Sequence, residues 1–343
     1  MKKESTEYLN SRIERFDFHV VESKLKHNYN LAHANLSNYS SALVEIDLSD
    51  GQRLWGEVTP LVGYTDETMP TILEDLAMIR HSIVGMSVED SIVKWTSDLK
   101  PANSFVLSSV LPPLEAYRSG YDLTDVSIEF KDIIYALALE EKSALQVNEE
   151  IRTVLQSGYD TVKIKVGKHI DQELEWIDML AQIDLKNLKI RFDANCGYSL
   201  KESLLFLDRV AQKIPGNVEY LEQPMGKSCW DEMGEIIRTH PKTPIMIDES
   251  IYSIEDIQRS YDIGARIIKL KLCKFGSLGN LQNALDYAKA LGLEVVFGNG
   301  VATDISNCYE ILFYKQNIDK IHGAIESVGF LKLDKFHKFN MLR

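Results

Sequence analysis

The sequence predicts an α/β protein in which a parallel barrel follows a smaller α+β region. The first of three observations is that strands precede helices in the first third of the 343-residue chain. The second is that strands and helices alternate strictly from about residue 131, as in seven or eight βα units. The third is that one ionisable or polar residue ends each strand, at intervals of 23–29 positions. This regular placement favours a barrel over a doubly wound sheet.

Composition and charge exclude several classes of protein. Hydrophobic residues make up 45% and charged residues 26% of the chain, as in globular domains, so a disordered protein is excluded. The net charge of −13 argues against a nucleic-acid or anionic-membrane partner. No stretch reaches the ~18 apolar residues of a membrane span, and no signal peptide is recognisable. With four cysteines at unpaired spacings, expected to be free thiols, we expect a soluble, cytoplasmic protein.

The first third, residues 1–130, is predicted to form the α+β region. Segments 12–20 and 42–49 alternate polar with apolar residues, as half-buried strands do. Asp50–Gly51 is typical of a hairpin turn into a further strand. Between the first two strands, residues 22–40 are polar and rich in Asn and Ser, which predicts a long loop. Helices are predicted near residues 70–82, 88–98 and 102–118.

The barrel is predicted over residues 131–325, with a C-terminal segment, 326–343, that returns to the first region. Its strands are apolar runs such as TVKIKV, LKIRFD and RIIKLKL, and a segment of helical period follows each. The carboxyl ends of barrel strands surround one mouth, where barrel enzymes carry out their chemistry. The residues at those ends are therefore predicted to form one site. They are Lys165, Asp193, Glu222, Asp248, Lys271 and Asn299.

Three carboxylates, those of Asp193, Glu222 and Asp248, end consecutive strands. Adjacent strands lie ~5 Å apart, so three unscreened anions at these positions would repel one another. A hard divalent cation would hold them together, and Mg²⁺ suits a set of oxygen ligands. The alternative is that each carboxylate only caps the helix that follows it. The common register of all three favours the metal site.

Four lysines form the second group. Lys163 and Lys165 share one face of a strand whose other face is apolar, and Lys269 and Lys271 repeat the pattern four strands later. The alternative is an amphipathic edge strand with hydrated lysines. In a closed eight-stranded barrel, however, the two strands lie opposite one another, and their lysines would flank a metal-bound substrate. Two opposed bases and a cation predict proton abstraction α to a carboxylate.

Five segments carry a resemblance to a known family. KIKVG, FDANCGY, LEQP, IDES and KLCKFGSL resemble, in this order, the signature segments of the enolase superfamily, muconate lactonizing enzyme subgroup. The resemblance covers nearly the whole chain. It implies a (β/α)7β modified TIM barrel with an N-terminal α+β capping domain, in which residues 22–40 are the specificity loop.

The same resemblance implies the parts of an active site. One Mg²⁺, replaceable by Mn²⁺, would bind Asp193, Glu222 and Asp248. Lys165 and Lys271 would be the acid/base residues. A sixth residue, Lys163, would stabilise the enolate.

This chain departs from the subgroup at two strand ends. FGNGVATD, after the seventh strand, lacks the acidic residue that many members place there. HGAIESVG, near the eighth strand, lacks the Asp-x-Asp that dipeptide epimerases use for the substrate ammonium, with Glu326 as a partial replacement. Asp304 is predicted as either a helix cap or a substrate contact. The predicted contacts to the substrate or to the metal ligands are Asn195, Glu249, Asn299, Asp304 and Glu326.

The function implied is Mg²⁺-dependent removal of the α-proton of a small carboxylate, giving a metal-stabilised enolate. Racemization or epimerization of an amino-acid derivative would use both lysines. The alternative is syn-dehydration of the o-succinylbenzoate synthase type, or cycloisomerization, through the same enolate. A catalytically silent binding relative is a third hypothesis, which the intact ligands and bases disfavour. The family also implies a homo-oligomer.

Overall fold

A three-stranded antiparallel sheet opens the chain in a computed structural model that describes residues 11–30, 35–61, 65–339 and 341. Its strands, in spatial order, are β1 (Ile13–Asn30), β2 (Asn35–Leu48) and β3 (Arg53–Val58). Phe16, Val44 and Ile46 are fully buried, whereas Asp17 and Glu45, on the other face, are partly exposed. The predicted turn at Asp50–Gly51 is confirmed, because Gly51 has the positive φ of 84° that a tight hairpin requires.

Residues 22–40 correct one prediction, because most of this segment is strand and not loop. Glu22 pairs with Ser40, and the pairing of β1 with β2 extends as far as Asn30 opposite Asn35. The two arms of this hairpin satisfy each other's backbone groups, so polar side chains on both faces do not prevent strand formation. The four-residue tip lies outside the described residues. The role of this segment in specificity stays a prediction.

The hairpin is attached to the C-terminal part of the chain. Leu25 forms an antiparallel bridge with Leu333, and both pack with Tyr39 in a small buried cluster. The backbone N–H of Asp334 donates to the carbonyl of Lys24 over 2.9 Å. The predicted divisions of the chain at residues 130 and 325 stay predictions.

Four helices complete the N-terminal region. The predicted helix 102–118 is divided into two, and its second half restarts with two prolines in the first turn, where no intrahelical N–H is needed. Ile72, Leu76 and Leu114 contribute to the core that these helices share with the antiparallel sheet. The helices are α1 (Met69–Ile83), α2 (Val88–Ser97), α3 (Pro101–Leu107) and α4 (Leu111–Arg118).

Seven parallel strands follow, in unbroken sequential order. They are β4 (Tyr135–Ala136), β5 (Thr161–Lys165), β6 (Lys189–Asp193), β7 (Val218–Glu222), β8 (Ile245–Ile247), β9 (Ile267–Lys271) and β10 (Glu294–Gly298). The helices between and after them are α5 (Ala144–Gln156), α6 (Ile170–Leu180), α7 (Leu200–Lys213), α8 (Trp230–Thr239), α9 (Ile254–Asp262), α10 (Leu272–Phe275), α11 (Leu278–Ala290) and α12 (Asp304–Gln316). Outward-facing strand residues such as Val162, Ile164 and Ile268 are buried against these helices.

Residues 321–326 close the barrel between its first and last strands. Ile321 forms a parallel bridge with Val295 of β10, and Ile325 forms one with Ile133, just before β4. The N–H of Glu326 donates to the carbonyl of Phe297 over 2.9 Å. The barrel therefore has eight positions, of which the eighth is a short bridged segment, and the predicted fold is confirmed.

Two buried glutamates attach the N-terminal region to barrel helices. Glu57, on β3, accepts hydrogen bonds from the backbone N–H groups of Thr303 and Ser306 at the start of α12. Glu115, on α4, accepts from the N–H groups of Leu278 and Gly279 at the start of α11. Negative groups are favoured at helix N-termini. The N-terminal region is thus fixed above the barrel and covers its mouth.

Two further predictions concern the whole chain. The four cysteines, Cys196, Cys229, Cys273 and Cys308, are free thiols, as predicted. Within the described part of the chain, no helix combines the length and the apolar character needed to cross a membrane.

Candidate active site

The polar strand ends meet at one mouth of the barrel, as the spacing of the sequence predicts. Lys165, Asp193, Glu222 and Lys271 are the last residues of β5, β6, β7 and β9. Asp248 and Asn299 directly follow β8 and β10. All six line one cavity of about 690 Å³, which the N-terminal region covers with residues that include Tyr39, Glu67 and Phe105. The cavity has the size of a small-molecule site.

A group of carboxylates in this cavity fits a cation. Glu222, Asp248 and Glu249 each place one carboxylate oxygen within 4.8 Å of the others. The buried Oε2 atom of Glu249 has no hydrogen-bond partner among the described residues, and burial raises the pKa of this carboxyl group. Three carboxylates, one of which has an unpartnered oxygen, form a donor set that suits a hard divalent cation.

Asp193, the remaining member of the predicted ligand set, lies beside Glu222 in the β6–β7 pairing. Its Oδ2 atom is 2.6 Å from the Nζ of Lys165 and 2.8 Å from the Nζ of Lys163. Burial opposes the ionisation of Asp193, but these two ammonium groups lower its pKa below the ordinary value. The ligand roles of Asp193, Glu222 and Asp248 stay predictions, and Glu249, predicted as a neighbour of the ligands, has a carboxylate oxygen within 4.8 Å of those of the last two.

Lys165 and Lys271 occupy opposite walls of the cavity. Their strands, β5 and β9, are four positions apart around the eight-position barrel. Lys165 donates to Asn195 Oδ1 over 2.5 Å as well as to Asp193, and the Nζ of Lys271 lies 2.7 Å from Asp248 Oδ2. Burial opposes the charged form of Lys271, but Asp248 and then Glu249 raise its pKa well above the ordinary value.

Lys163 and Lys269 lie deeper in the barrel, each two residues before one of the outer lysines. Their side chains are 9% and 1% exposed, compared with 40% for Lys165 and 12% for Lys271. Lys163 donates to Glu222 Oε2 over 2.6 Å, and Lys269 donates to the other oxygen of the same carboxylate, also over 2.6 Å. The two inner lysines therefore hold Glu222 from both sides.

Asn195 and Glu249, predicted as neighbours of the metal ligands, are connected to each other. The Nδ2 of Asn195 donates to Glu249 Oε1 over 2.9 Å, and its Oδ1 accepts from Lys165. Asn195 has a positive φ of 41°, which this short polar side chain tolerates better than most. The Asn195 amide thus connects Lys165 to the carboxylate of Glu249.

Asp304 is not among the residues that line the cavity, and its role as a substrate contact stays a prediction. Its carboxylate accepts three hydrogen bonds from the backbone N–H groups of His337, Lys338 and Phe339, over 2.6–2.9 Å. Asp304 therefore holds the C-terminal segment that contacts the hairpin. The cap of α12 is Thr303, whose side chain accepts from Ile305 N.

Asn299 lines the cavity, but its amide serves the protein backbone. With the amide oriented to satisfy its neighbours, its nitrogen lies 2.9 Å from the carbonyl oxygens of Gly300 and Glu326. Its oxygen lies 3.0 Å from Asn307 Nδ2. Asn299 thus connects the loop after β10 to the closing segment of the barrel, and a substrate contact by this amide stays a prediction.

Glu326 also lines the cavity, but its carboxylate faces the protein. It accepts from Lys163 over 2.6 Å and from Lys269 over 2.7 Å, while the hydroxyl of Tyr220 donates to its other oxygen over 3.0 Å. Arg191 Nη1 lies 3.5 Å from that second oxygen. This placement does not support Glu326 as a replacement for an ammonium-binding carboxylate.

Sequence reasoning assigned no role to Gln223 and Lys274, which shape the site around Asp248. Gln223, fully buried and with a positive φ of 33°, accepts from Asp248 N through Oε1. Lys274 donates to the carbonyl and to Oδ1 of Asp248 over 2.6 and 3.0 Å. Gln223 lies in LEQP and Lys274 in KLCKFGSL, beside residues already predicted to belong to the site. This proximity was the sequence signal that could have identified them.

Comparisons with known proteins agree with this geometry. Residues 146–314 match the enolase C-terminal domain-like family. The hydrophobic dipeptide epimerase of Enterococcus faecalis is 24% identical over 305 residues, which cover 84% of this chain and 82% of that protein.

Two solved structures have the same fold. The L-Ala-D/L-Glu epimerase of Bacillus subtilis, in a substrate-liganded complex, superposes with a TM-score of 0.81 at 21% identity, covering 94% of this chain and 92% of that one. The muconate lactonizing enzyme of Pseudomonas fluorescens, complexed with muconolactone, gives a TM-score of 0.80 at 19% identity, covering 95% and 90%. Residues 146–314 thus form an enolase C-terminal-like domain, and the whole chain has the fold of these epimerase and muconate lactonizing enzyme structures.

Proposed function

We propose that this chain is a divalent-cation-dependent epimerase of an amino-acid derivative. The observation that carries the proposal is the placement of Lys165 and Lys271 on opposite walls of one cavity, on either side of a carboxylate group. Two such groups allow a proton to be removed from one face of a carbon acid and another to be delivered to the opposite face without reorientation of the intermediate. The epimerases among the relatives support the same class of reaction.

The cation we infer is Mg²⁺, with Mn²⁺ as a substitute. Asp193, Glu222 and Asp248 would hold it, with Glu249 beside them. A bound divalent cation would offset the negative charge that now favours protonated lysines, and would stabilise negative charge on a substrate carboxylate. Removal of the cation with a chelator is therefore expected to abolish turnover, and added Mg²⁺ or Mn²⁺ to restore it.

Each outer lysine is positioned by polar partners that leave its amine at the cavity. Asp193 and Asn195 hold Lys165, and Asp248 holds Lys271. One neutral amine takes the α-proton from its side of the substrate. The ammonium on the other wall then gives a proton to the opposite face, which inverts the configuration.

The substrate is proposed to be a small carboxylate of the amino-acid type, with a dipeptide or an N-acyl amino acid as the candidates to test first. The names of the relatives support dipeptides. The occupied carboxylate of Glu326 removes one acceptor for a free substrate ammonium and gives N-acyl amino acids equal weight in the screen.

The test is hydrogen exchange in D₂O with Mg²⁺ on a panel of dipeptides and N-acyl amino acids. The wild type is expected to incorporate deuterium at the α-carbon during inversion. Lys165→Met and Lys271→Met should each lower inversion by about 10²–10⁴-fold, the usual range for one acid/base group. Each variant should still exchange the α-proton of the epimer that its remaining lysine faces.

Lys320→Met is the matched control, because this lysine is exposed and pairs with Asp286 far from the cavity. Inversion that survives both lysine changes would contradict the acid/base assignment. Loss of a β-substituent, or ring closure, without exchange-coupled inversion would instead indicate the dehydration or cycloisomerization alternative. The cytoplasmic location and the homo-oligomeric state stay predictions, and light scattering would measure the second.

A further inference from the structure

A closed ring of four charged side chains lies on the floor of the cavity. Lys163 and Lys269 each donate to both Glu222 and Glu326, with all four contacts between 2.6 and 2.7 Å. The four residues come from β5, β9, β7 and the closing segment of the barrel. All are at most 9% exposed, so water screens these charges weakly.

The ring balances two positive charges against two negative ones. Lys163 belongs to the predicted active site, and Glu222 to the predicted ligand set. Lys269 and Glu326 are the two members with no role in cation binding or proton transfer. A buried charge is costly unless it is paired, so the second inner lysine requires a second carboxylate.

The carboxylate of Glu326 has little capacity left for a ligand. Its Oε2 accepts from both inner lysines, and its Oε1 accepts from the Tyr220 hydroxyl and faces Arg191. A carboxylate offers about four lone-pair positions, and these four donors occupy them.

We propose that Lys269 and Glu326 are a compensating pair of positioning residues for the cation site. Lys269 lies between the carboxylates of Glu222 and Glu326, so Glu326 offsets its charge and this lysine does not cancel the attraction of the cation site for a divalent cation. Lys269 also fixes Oε1 of Glu222 directly, and Glu326 holds Lys163, which fixes Oε2. Glu326 itself makes no contact with the substrate. This inference rests on the proposed cation site, and it identifies Lys269 and Glu326 as the residues that balance the charge below that site.

The test is the affinity of the whole protein for Mn²⁺ alone, measured by titration calorimetry without substrate. Glu326→Gln leaves one uncompensated positive charge on the floor and is expected to weaken Mn²⁺ binding by at least about tenfold. Lys269→Met has the opposite charge effect and is expected not to weaken it. The double variant restores the balance and should bind within about threefold of the wild type.

The different effects expected of the two single changes distinguish charge compensation from a merely structural role, in which both changes would weaken Mn²⁺ binding. Unchanged affinity in Glu326→Gln, or no recovery in the double variant, would overturn the proposal. The exposed Lys131–Glu129 pair, 2.8 Å apart, supplies matched controls as Lys131→Met and Glu129→Gln, which should leave Mn²⁺ affinity unchanged.

Thermal unfolding without any metal keeps the proposal testable if a variant folds poorly or the wild type binds no cation. Glu326→Gln is expected to lower the Tm, and the added Lys269→Met to recover at least half of the loss. A double variant no more stable than Glu326→Gln would overturn the pairing. If the wild type binds no Mn²⁺ but the double variant recovers the Tm lost in Glu326→Gln, the proposed function is contradicted. The charge compensation between Lys269 and Glu326 is then still supported.

Discussion

Glu57 is expected to be the main attachment of the N-terminal region to the barrel. Its buried carboxylate accepts from Thr303 N at 2.7 Å, Thr303 Oγ1 at 2.6 Å, Ser306 N at 3.1 Å and Thr59 Oγ1 at 2.6 Å. Each hydrogen bond to a charged group contributes about 1.5–3 kcal/mol, and neutral ones about 1 kcal/mol. Because partial relaxation recovers some of the four contacts, we expect Glu57→Ala to cost about 4–5 kcal/mol.

Glu57→Gln should cost about half as much, because the amide keeps the shape but turns a donor toward one of the backbone N–H groups. The free energy of unfolding in urea measures both changes. Glu45→Gln is the control, since Glu45 lies on the same sheet and pairs with Arg53 at the surface, and it should cost less than ~1 kcal/mol. A cost for Glu57→Ala as small as that of the control would refute the reasoning.

Three further predictions concern other buried carboxylates. Burial raises the pKa of Glu310 to about 8 from 4.5. The folded protein therefore holds a proton that the unfolded chain releases, and the free energy of unfolding falls as the pH rises from 4.5 to 8. Glu310→Gln should remove about 5 kcal/mol of that fall, measured by urea unfolding at several pH values. An unchanged dependence of the unfolding free energy on pH would contradict this prediction. Glu115→Ala frees two N–H groups at the start of α11 and should cost about 2–4 kcal/mol in the same assay, against no loss if the contact is incidental. Asp304→Ala should speed tryptic cleavage within residues 335–338, and equal cleavage rates would exclude this anchor.

The barrel and the outer lysines were predictable because two simple periods determine them. Alternation along TVKIK and IIKLK places Lys165 and Lys271 on the inner face, and one βα unit per 23–29 residues brings Asp193, Glu222 and Asp248 to the same mouth. Both periods are properties of the local sequence. The structure confirms the placement of these residues, while their chemical roles stay predictions.

The hairpin was not predictable from the same rules. A strand half-buried on a core shows alternation, but the helices cover only the first half of β1 and the second half of β2. Their distal parts bury only a few residues, such as Leu25 and Tyr39, against the C-terminal segment. Pairing between two polar arms satisfies the backbone N–H and C=O groups without an alternation of apolar and polar residues, so the sequence shows no strand pattern there.

Depth along the strand explains why the floor of the cavity was harder to predict than its rim. Side chains two residues apart share a face, so Lys163 and Lys269 point inward in the same way as the outer lysines, one layer lower. At that depth their partner is Glu326, which lies 163 residues from Lys163 and becomes their neighbour only when the short closing segment completes the barrel. A resemblance in sequence places Glu326 near an ammonium subsite; two inner lysines give it a different partner. A second lysine on β9 therefore changes what a carboxylate on the eighth position can bind.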